Sequence, residues 1–346
     1  MVTENKRKIK DKHVVEFELL QTPAALVQSE PASEKVLGVV QSAREELRNS
    51  LDGKDNRFVV IVGPCSIHDP KSAIEYAQRL ADLSHRVSDR MLVLMRVYFE
   101  KPRTTIGWKG FIYDPARDNS NDMNRGLVEA RRILLQINEM GLPCVTEFLD
   151  PIVPQYVSDL VAWVAIGART TESQTHRQMA SGLSMPVGFK NSTDGSLQVA
   201  VDAMRAASHP HAFLGINSDG QSCVVRTAGN ADTHIVLRGG GGKSNFSRAD
   251  VAYSQVLMEE ANAKPRSILI DCSHANSNKD YARQPLVLES VVDQFLGGTK
   301  SILGVMLESH LTQGRQALSD NLTYGQSITD GCIGWATTEE SILKAY

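Results

Sequence analysis

Cys65 lies in the stretch G-P-C-S-I-H-D, directly after the strand-like run R-F-V-V-I-V. A cysteine at the end of such a run could be a nucleophile, a redox group, a metal ligand or a packing residue. His68 is three residues away, but this spacing within a turn does not guarantee a hydrogen bond, and no third group that would orient the histidine is evident. The role of Cys65 therefore has to be inferred from the residues at the ends of the other strand-like runs.

Eight apolar runs of strand length end in, or just before, a reactive or charged side chain. In chain order these side chains are Cys65, Arg96, Glu147, Arg169, Lys190, Arg238, His274 and Glu308. A buried charge without a partner is strongly unfavourable. Eight such strand ends therefore indicate one shared polar site.

Cations form the first chemical subset of this site. Arg96, Arg169, Lys190 and Arg238 are joined by Lys101, Arg103 and Lys109 of the loop E-K-P-R-T-T-I-G-W-K-G. The formal net charge of the chain is −3, so a local cluster of cations needs anionic partners. Guanidinium groups match phosphate and carboxylate oxygens in pairs. We therefore expect small phosphorylated, carboxylated metabolites as ligands.

A second subset combines a thiol, an imidazole and carboxylates: Cys65, His274, Glu308 and Asp330 of S-I-T-D-G-C. This mixture of S, N and O donors suits a divalent transition metal with an open position for a substrate oxygen. The residues are far apart in sequence, so only a barrel would bring them together. The alternatives are a hydrogen-bonded strand-end histidine for His274 and a small buried residue for Cys65.

The elements that would position these residues alternate between strand and helix. The strand-like runs cover residues 57–63, 91–99, 142–149, 163–168, 186–191, 234–239, 267–274 and 302–309. Helical periodicity follows in 72–83, 124–140, 154–161, 197–207 and 249–261. Near-continuous Val, Ile and Leu in the runs favour parallel strands that are covered on both faces. This order predicts an α/β fold, a (β/α)8 TIM barrel.

Two segments fall outside the alternation. H-A-F-L-G-I-N and Q-S-C-V-V-R-T, separated by S-D-G, predict an inserted β-hairpin at about 212–227. Residues 1–50 predict an N-terminal arm and a helix with regulatory or oligomer contacts, which would pack on a partner subunit or close one end of the barrel. Residues 51–346 then form the catalytic barrel.

Composition excludes several classes of protein. The 346 residues are 42% hydrophobic and 22% charged, and no apolar run reaches the roughly 18 residues of a membrane span. The charged N-terminus does not resemble a secretory signal. The five cysteines contain no C-x-x-C pair, which indicates a reducing, cytoplasmic location. Without net positive charge, we expect no nucleic-acid partner and no membrane partner.

Further patterns involve a glycine-rich segment and the histidines and cysteines outside the predicted site. L-R-G-G-G-G-K-S at 237–244 nearly spells a P-loop, but Leu237 occupies the first glycine position, so it is interpreted as a glycine-rich loop. Five other histidines are predicted at the surface: His13, His85, His209, His211 and His310. Cys144, Cys223, Cys272 and Cys332 are predicted in or near the core.

Long motifs resemble the class I, microbial, feedback-regulated 3-deoxy-D-arabino-heptulosonate 7-phosphate (DAHP) synthases. They are G-P-C-S-I-H-D, M-R-V-Y-F-E-K-P-R-T-T-I-G-W-K-G, I-G-A-R-T-T-E-S-Q-T-H-R, P-V-G-F-K-N, H-I-V-L-R-G-G, D-C-S-H-A-N-S-N-K and Y-G-Q-S-I-T-D. The resemblance implies condensation of phosphoenolpyruvate (PEP) with erythrose 4-phosphate, the first step of the shikimate pathway. It also implies a homodimer or homotetramer.

The resemblance assigns roles by matching motifs. It implies that Cys65, His274, Glu308 and Asp330 bind one divalent metal (Mn, Fe, Co or Zn). It implies that Arg96, Lys101, Glu147, Arg169, Lys190 and Arg238 surround PEP, and that Arg103 and Thr104 bind the phosphate of erythrose 4-phosphate. Lys101 is the candidate general acid, and Glu147 is the candidate for positioning water. G-F-I-Y-D-P departs from the family's usual G-L-I-N-D-P.

An effector pocket is also implied, where an aromatic amino acid binds away from the active site. The matching positions are Pro154, Gln155, Ser184, Phe213, Gly215 and Val225, with Asp11 from a neighbouring subunit as a weaker match. Gly215 stands where phenylalanine-sensitive relatives tend to carry serine. Tyrosine is therefore the first expected effector and phenylalanine the second.

Two alternative functions remain open from the sequence. One is a related PEP-condensing synthase of an eight-carbon sugar acid, which would consume a different aldose phosphate. The other is an inactive barrel kept as an aromatic amino-acid sensor or chorismate-mutase partner.

Overall fold

The structure is a computed structural model that describes residues 10–346. Its strands are β1 (Phe58–Gly63), β2 (Met91–Arg96), β3 (Cys144–Glu147), β4 (Trp163–Ile166), β5 (Val187–Lys190), β6 (Ala212–Ile216), β7 (Ser222–Arg226), β8 (Thr233–Leu237), β9 (Ile268–Asp271), β10 (Ile302–Glu308), β11 (Thr312–Arg315) and β12 (Gln326–Ser327). Its helices are α1 (Pro23–Ser29), α2 (Glu34–Leu51), α3 (Pro70–Arg86), α4 (Met123–Glu139), α5 (Pro154–Val157), α6 (Gln174–Ala180), α7 (Gln198–Ala207), α8 (Arg248–Glu260), α9 (Gln284–Leu296) and α10 (Trp335–Ala345).

Eight parallel strands close into a barrel in the order β1-β10-β9-β8-β5-β4-β3-β2. The predicted (β/α)8 fold is confirmed. Alternation along each strand divides the core into two layers. Val59 and Ile61 of β1 belong to the cluster inside the barrel, whereas Val60 and Val62 pack in the layer beneath the helices. Because both faces of every barrel strand are covered, the runs are apolar throughout.

Helix α2 closes the N-terminal end of the barrel. Ala43, Leu47 and Leu51 are buried in the same cluster as the interior strand residues. The Arg44 guanidinium donates to the carbonyl oxygens of Ser158 and Val161, just before β4. Of the two arrangements expected for the N-terminal segment, these contacts correspond to the one in which it closes an end of the barrel. The division of the chain at residue 50 stays a prediction.

The inserted hairpin consists of β6 and β7, which pair antiparallel from Ala212↔Arg226 to Ile216↔Ser222. It lies outside the barrel and forms its own two-stranded sheet. The Ala24 amide donates to the Ser218 carbonyl at 2.8 Å, so the segment that begins α1 contacts the hairpin turn.

Several details differ from the expectation. The run 91–99 ends as a strand at Arg96, and the helical pattern 154–161 forms an α-helix only as far as Val157. The prediction that His310 lies at the surface is wrong: it is 2% exposed, and its ring packs edge-on against Tyr76 and His68. Among residues 10–346, no helix combines the length and the apolar character required to cross a membrane.

Candidate active site

The polar site begins where the inward-facing positions of the strands change from apolar to charged. On β2, Leu92 and Leu94 face the barrel interior, and Arg96 has the same parity. On β10, Met306 faces inward and Glu308 follows two residues later. Side chains on a strand alternate with a period of two. The same alternation therefore places both the interior packing residues and the site residues.

Cys65, Glu308 and Asp330 form a compact group of potential metal ligands. One ligand atom from each lies within 4.8 Å of the corresponding atoms of the other two. The Cys65 thiol donates to Asp330 Oδ2 at 3.7 Å. Burial raises the pKa of this thiol, and Glu308 raises it further. A thiol and two carboxylates that converge in this way are placed to share one cation.

Arg96 is the buried partner of this group. Its guanidinium donates to Glu308 Oε1 at 3.0 Å and to the Cys65 carbonyl at 3.2 Å. It also stacks over the Tyr98 ring, 3.6 Å from the centroid. Arg96 and the Glu308 side chain are only 1% and 2% exposed, so each needs the other.

Lys101 reaches the same point from the segment that follows β2. Its Nζ donates to Cys65 Sγ at 3.2 Å and to the Cys65 carbonyl at 3.1 Å. Burial alone would lower the pKa of Lys101, but the nearby Cys65, Glu308 and Asp330 outweigh burial and raise it. Lys101 is therefore an ammonium group that can donate a proton.

His274 lines the same cavity but is not a member of the compact group of three. Its Nδ1 lies 3.0 Å from Asp271 Oδ2 and 2.7 Å from Ser273 Oγ. Asp271 also accepts from Lys190 Nζ at 2.8 Å. Burial would raise the pKa of Asp271, but Lys190 and His274 hold it well below its usual value. A carboxylate on Nδ1 leaves Nε2 available as a ligand atom.

The other predicted cations lie around this centre. Arg169 Nε donates to Thr104 Oγ1 at 3.2 Å, which joins the end of β4 to the segment after β2. Arg103 Nε donates to the Trp108 carbonyl at 2.8 Å. Burial lowers the pKa of Arg238, whose guanidinium donates a hydrogen bond only to the Gly239 carbonyl among the described residues.

Glu147 ends β3 and points into the cavity. It is 6% exposed, and its Oε1 has no hydrogen-bond partner among the described residues. A Cβ added at Gly167 would overlap this oxygen. A buried carboxylate oxygen without a partner requires a ligand or a water molecule as donor.

One cavity of about 460 Å³ contains most of the predicted groups. Its walls include Arg96, Lys101, Arg103, Glu147, Arg169, Lys190, Arg238, His274, Glu308 and Asp330. Thr104 contacts this set through Arg169. The volume falls within the range of small-ligand sites.

Sequence reasoning missed several members of the site. Asp271, the last residue of β9, orients His274 and Lys190. A carboxylate that ends the apolar run S-I-L-I is a sequence signal that would have identified it as a site residue. Lys279 and Arg315 also line the cavity. No signal in the sequence distinguishes these two from surface cations.

The residues present fit a divalent transition metal. Cys65 and Glu308, which are buried, converge with Asp330, which is exposed, and His274 presents a ring that a carboxylate orients through Nδ1. Carboxylate-oriented histidine is a common arrangement in metal sites. The mixed donor set suits Mn, Fe, Co or Zn better than Mg or Ca.

The predicted effector positions lie away from this cavity. Phe213 pairs with Val225 across the hairpin, and Gly215 is the next residue on the same face. Pro154 and Gln155 begin α5, close to α1. Ser184 lines a surface cleft together with residues of α2. Asp11 adopts a left-handed backbone conformation in the exposed N-terminal segment.

Comparison with known proteins places this geometry in one family. The profile of the DAHP synthetase I family matches residues 31–342. The Tyr-sensitive phospho-2-dehydro-3-deoxyheptonate aldolase of Escherichia coli is 52% identical over 337 residues, 96% of this chain and 94% of that protein. The Phe-sensitive enzyme of the same organism is 51% identical over 331 residues, 95% of this chain and 94% of that protein.

A solved structure agrees with the sequence comparison. The structure of phospho-2-dehydro-3-deoxyheptonate aldolase from Francisella tularensis superposes with a TM-score of 0.93. It is 46% identical, and the match covers 96% of this chain and 98% of that one.

Proposed function

The chain belongs to the DAHP synthetase I family, and from that premise we propose that it condenses PEP with erythrose 4-phosphate and water to give DAHP and inorganic phosphate. The observation that carries the proposal is one cavity in which a thiol–carboxylate group adjoins a set of cations. This reaction begins aromatic amino-acid biosynthesis. We place it in the cytoplasm, as the scattered free cysteines favour.

The cations account for the choice of substrates. Both substrates carry a phosphate, and PEP also carries a carboxylate. Arg169, Lys190 and Arg238, with Arg96, are assigned to PEP, and Arg103 and Thr104 to the phosphate of erythrose 4-phosphate. The Arg169–Thr104 hydrogen bond supports this assignment because it brings the two predicted subsites together.

A divalent metal held by Cys65, His274, Glu308 and Asp330 would supply Lewis acidity toward the aldehyde oxygen. Carbon 3 of PEP attacks the aldehyde carbon, and the Lys101 ammonium donates its proton to the aldehyde oxygen. Glu147 positions the water that adds at carbon 2 of PEP. The resulting hemiketal phosphate loses inorganic phosphate by C–O cleavage and leaves the ketone of DAHP. Cations around the cavity stabilise the charge that develops.

The experiment is a PEP-consumption assay on chelator-treated protein, with each metal added back. We expect turnover with erythrose 4-phosphate only when Mn, Fe, Co or Zn is present. Consumption of PEP with arabinose 5-phosphate instead would identify the eight-carbon synthase alternative. No consumption with any metal and either aldose phosphate would overturn the proposal and favour an inactive sensor.

Lys101→Met tests the proposed acid. The substitution removes the ammonium group that contacts Cys65, so we expect kcat to fall by a factor of about 100 or more. Lys300→Met, at an exposed position between α9 and β10, is the matched control. Near-normal turnover in Lys101→Met would contradict the role of Lys101.

We also propose feedback inhibition by an aromatic amino acid bound at the hairpin, with tyrosine as the effector. Gly215 has no side chain beside Phe213 and Val225, and a Cβ there would lie 2.8 Å from Val225 Cγ2. The absence of a serine side chain at this position is the feature that favours tyrosine over phenylalanine. The comparisons include Tyr-sensitive and Phe-sensitive relatives of nearly equal identity, so identity does not choose between them.

Inhibition by each amino acid distinguishes these effectors. We expect tyrosine to inhibit at lower concentration than phenylalanine, and Gly215→Ser to weaken inhibition by tyrosine with little change in uninhibited turnover. Inhibition by phenylalanine alone would overturn the choice of tyrosine. Asp11 from a neighbouring subunit would complete the pocket, which requires a homodimer or homotetramer.

A further inference from the structure

Glu100 is a buried carboxylate that neither proposed substrate subsite includes. It is 1% exposed and directly precedes Lys101. Its Oε1 accepts from the Asp150 amide at 3.0 Å, and its Oε2 accepts from the Leu149 amide at 3.2 Å. The Tyr113 hydroxyl donates to Oε1 at 3.2 Å. One side chain thus joins the segment after β2 (residues 97–122, the β2 loop) to the segment after β3 (residues 148–153, the β3 loop).

The Glu100 side chain connects the two loops at a point where their backbones no longer hydrogen-bond to each other. The last backbone hydrogen bond between the β2 and β3 sides is Val97 N to the Val145 carbonyl, at 2.8 Å. Beyond it, the Tyr98 carbonyl accepts from Ile67, and the Phe99 carbonyl accepts from Ile112. Among the described residues, no backbone–backbone hydrogen bond joins the β2 loop to the β3 loop. The two oxygens of Glu100 replace the missing strand acceptors.

Burial of the Glu100 carboxyl group is unfavourable unless the three groups that donate hydrogen bonds to it stay in place. Burial raises the pKa of Glu100 to about 8, and nearby Asp150 raises it too, while the amides of Asp150 and Leu149 and the Tyr113 hydroxyl oppose the shift. A tight turn at Gly110 positions the Tyr113 hydroxyl next to the Glu100 carboxyl group. Gly110 has a φ of 116°, and a Cβ there would overlap the Phe99 carbonyl, so only glycine fits.

The two joined loops lead directly to the proposed chemistry. Lys101 follows Glu100 by one residue, and Glu147 precedes Leu149 by two. We propose that Glu100 is a positioning residue that fixes the Lys101 ammonium and the Glu147 carboxylate relative to each other by binding the Leu149 and Asp150 amides. It touches neither substrate. The inference rests on the proposed function, since it assumes the roles of Lys101 and Glu147.

Glu100→Gln tests this arrangement with little change in volume. A glutamine has one acceptor oxygen, so its NH₂ group must face one of the two amide donors. We expect kcat to fall by a factor of about 10 or more, because small displacements of catalytic groups are costly. The KM for erythrose 4-phosphate should rise, since Arg103 and Thr104 lie on the β2 loop. The Kd for PEP should change by a smaller factor than kcat, because Arg169, Lys190 and Arg238 lie on other elements and only Lys101 and Glu147 of the PEP set depend on Glu100.

A general loss of folding would weaken PEP binding and turnover together, so the split between these values separates positioning from destabilisation. Glu46→Gln is the matched control: it pairs with Arg57 at the opposite end of the barrel, and we expect wild-type kinetics. Tyr113→Phe keeps both amide contacts and should have a smaller effect than Glu100→Gln.

The outcomes are distinguishable from failure of the proposed function. If wild-type protein does not turn over PEP with erythrose 4-phosphate, the proposed function fails. If wild-type protein is active and Glu100→Gln keeps its kcat within about twofold, the positioning role is overturned. Should Glu100→Gln not fold, Glu100→Asp, which is one methylene too short to reach both amides, must show the same split between kcat and PEP affinity.

Discussion

At the scale of single residues, the site depends on side chains with close neighbours. Glu147 occupies the space that a side chain at position 167 would fill, since a Cβ on Gly167 would overlap its Oε1. Cys65 is confined by Lys101 on one side and Asp330 on the other. Such constraints reduce the reorganisation needed during a reaction.

Gly167→Ala should displace the Glu147 carboxylate without unfolding the barrel, because the atom it meets is the end of a side chain. We expect kcat for PEP consumption to fall by a factor of about 10 or more, with an unchanged far-UV circular dichroism spectrum. Gly38→Ala, at a position where a Cβ meets nothing within 4 Å, is the control and should keep full activity. Equal activity of the two variants would show that Glu147 does not need its present position.

At the scale of elements, a polar pair joins two strands across the barrel interior. Trp163 Nε1 of β4 donates to His234 Nε2 of β8 at 2.8 Å. Burial lowers the pKa of His234 from 6.5 to about 4. The neutral ring is therefore part of the folded structure across the physiological range.

This pair makes stability dependent on pH in a defined window. The unfolded chain binds a proton at His234 near pH 6.5, whereas the folded chain does so only near pH 4. Stability from the neutral ring is therefore complete above pH 6.5 and is lost as the pH falls toward 4, by on the order of 3 kcal/mol. The free energy of unfolding would be measured in urea at a series of pH values. His234→Gln should reduce the loss of this free energy between pH 6.5 and pH 4, whereas the exposed His209→Gln should keep it. An identical pH dependence for both variants would contradict the assignment.

At the scale of the whole molecule, the hairpin has two unlike faces. Phe213 and Val225 pair on the face assigned to the effector, whereas Leu214 and Val224 pair on the other and are 85% and 58% exposed. Phe17 and Leu19 of the N-terminal segment are also exposed, at 79% and 90%. Apolar area of this kind often marks a protein–protein interface. We assign it to the proposed homo-oligomer.

Leu214→Asp should therefore lower the mass of the assembly in sedimentation or light-scattering measurements. A charge in a buried apolar contact is unfavourable by several kcal/mol, roughly enough to dissociate a moderate interface. Leu296→Asp, on the outside of α9 and 76% exposed, is the matched control. Dissociation by Leu296→Asp alone would place the interface on that helix instead of the hairpin.

The amino-acid sequence was sufficient to predict the barrel, the hairpin and most of the side chains in the cavity. Apolar runs of strand length must be covered on both faces, and a charged residue at the end of each run must find partners. These local rules predicted Arg96, Glu147 and Lys190 without any contact information. The parity of each strand could also have identified Asp271, which faces inward, whereas the adjacent Cys272 packs in the outer layer.

Which of these groups lie next to each other depends on the folded barrel. The convergence of Cys65, Glu308 and Asp330 depends on closure of the barrel between β1 and β10. The burial of His310 and the bridge made by Glu100 depend on loops that pack against one another. Periodicity along one segment specifies which face of that segment is buried, but it contains no information about what lies opposite. For this reason the sequence identified the chemistry, and the fold determined its geometry.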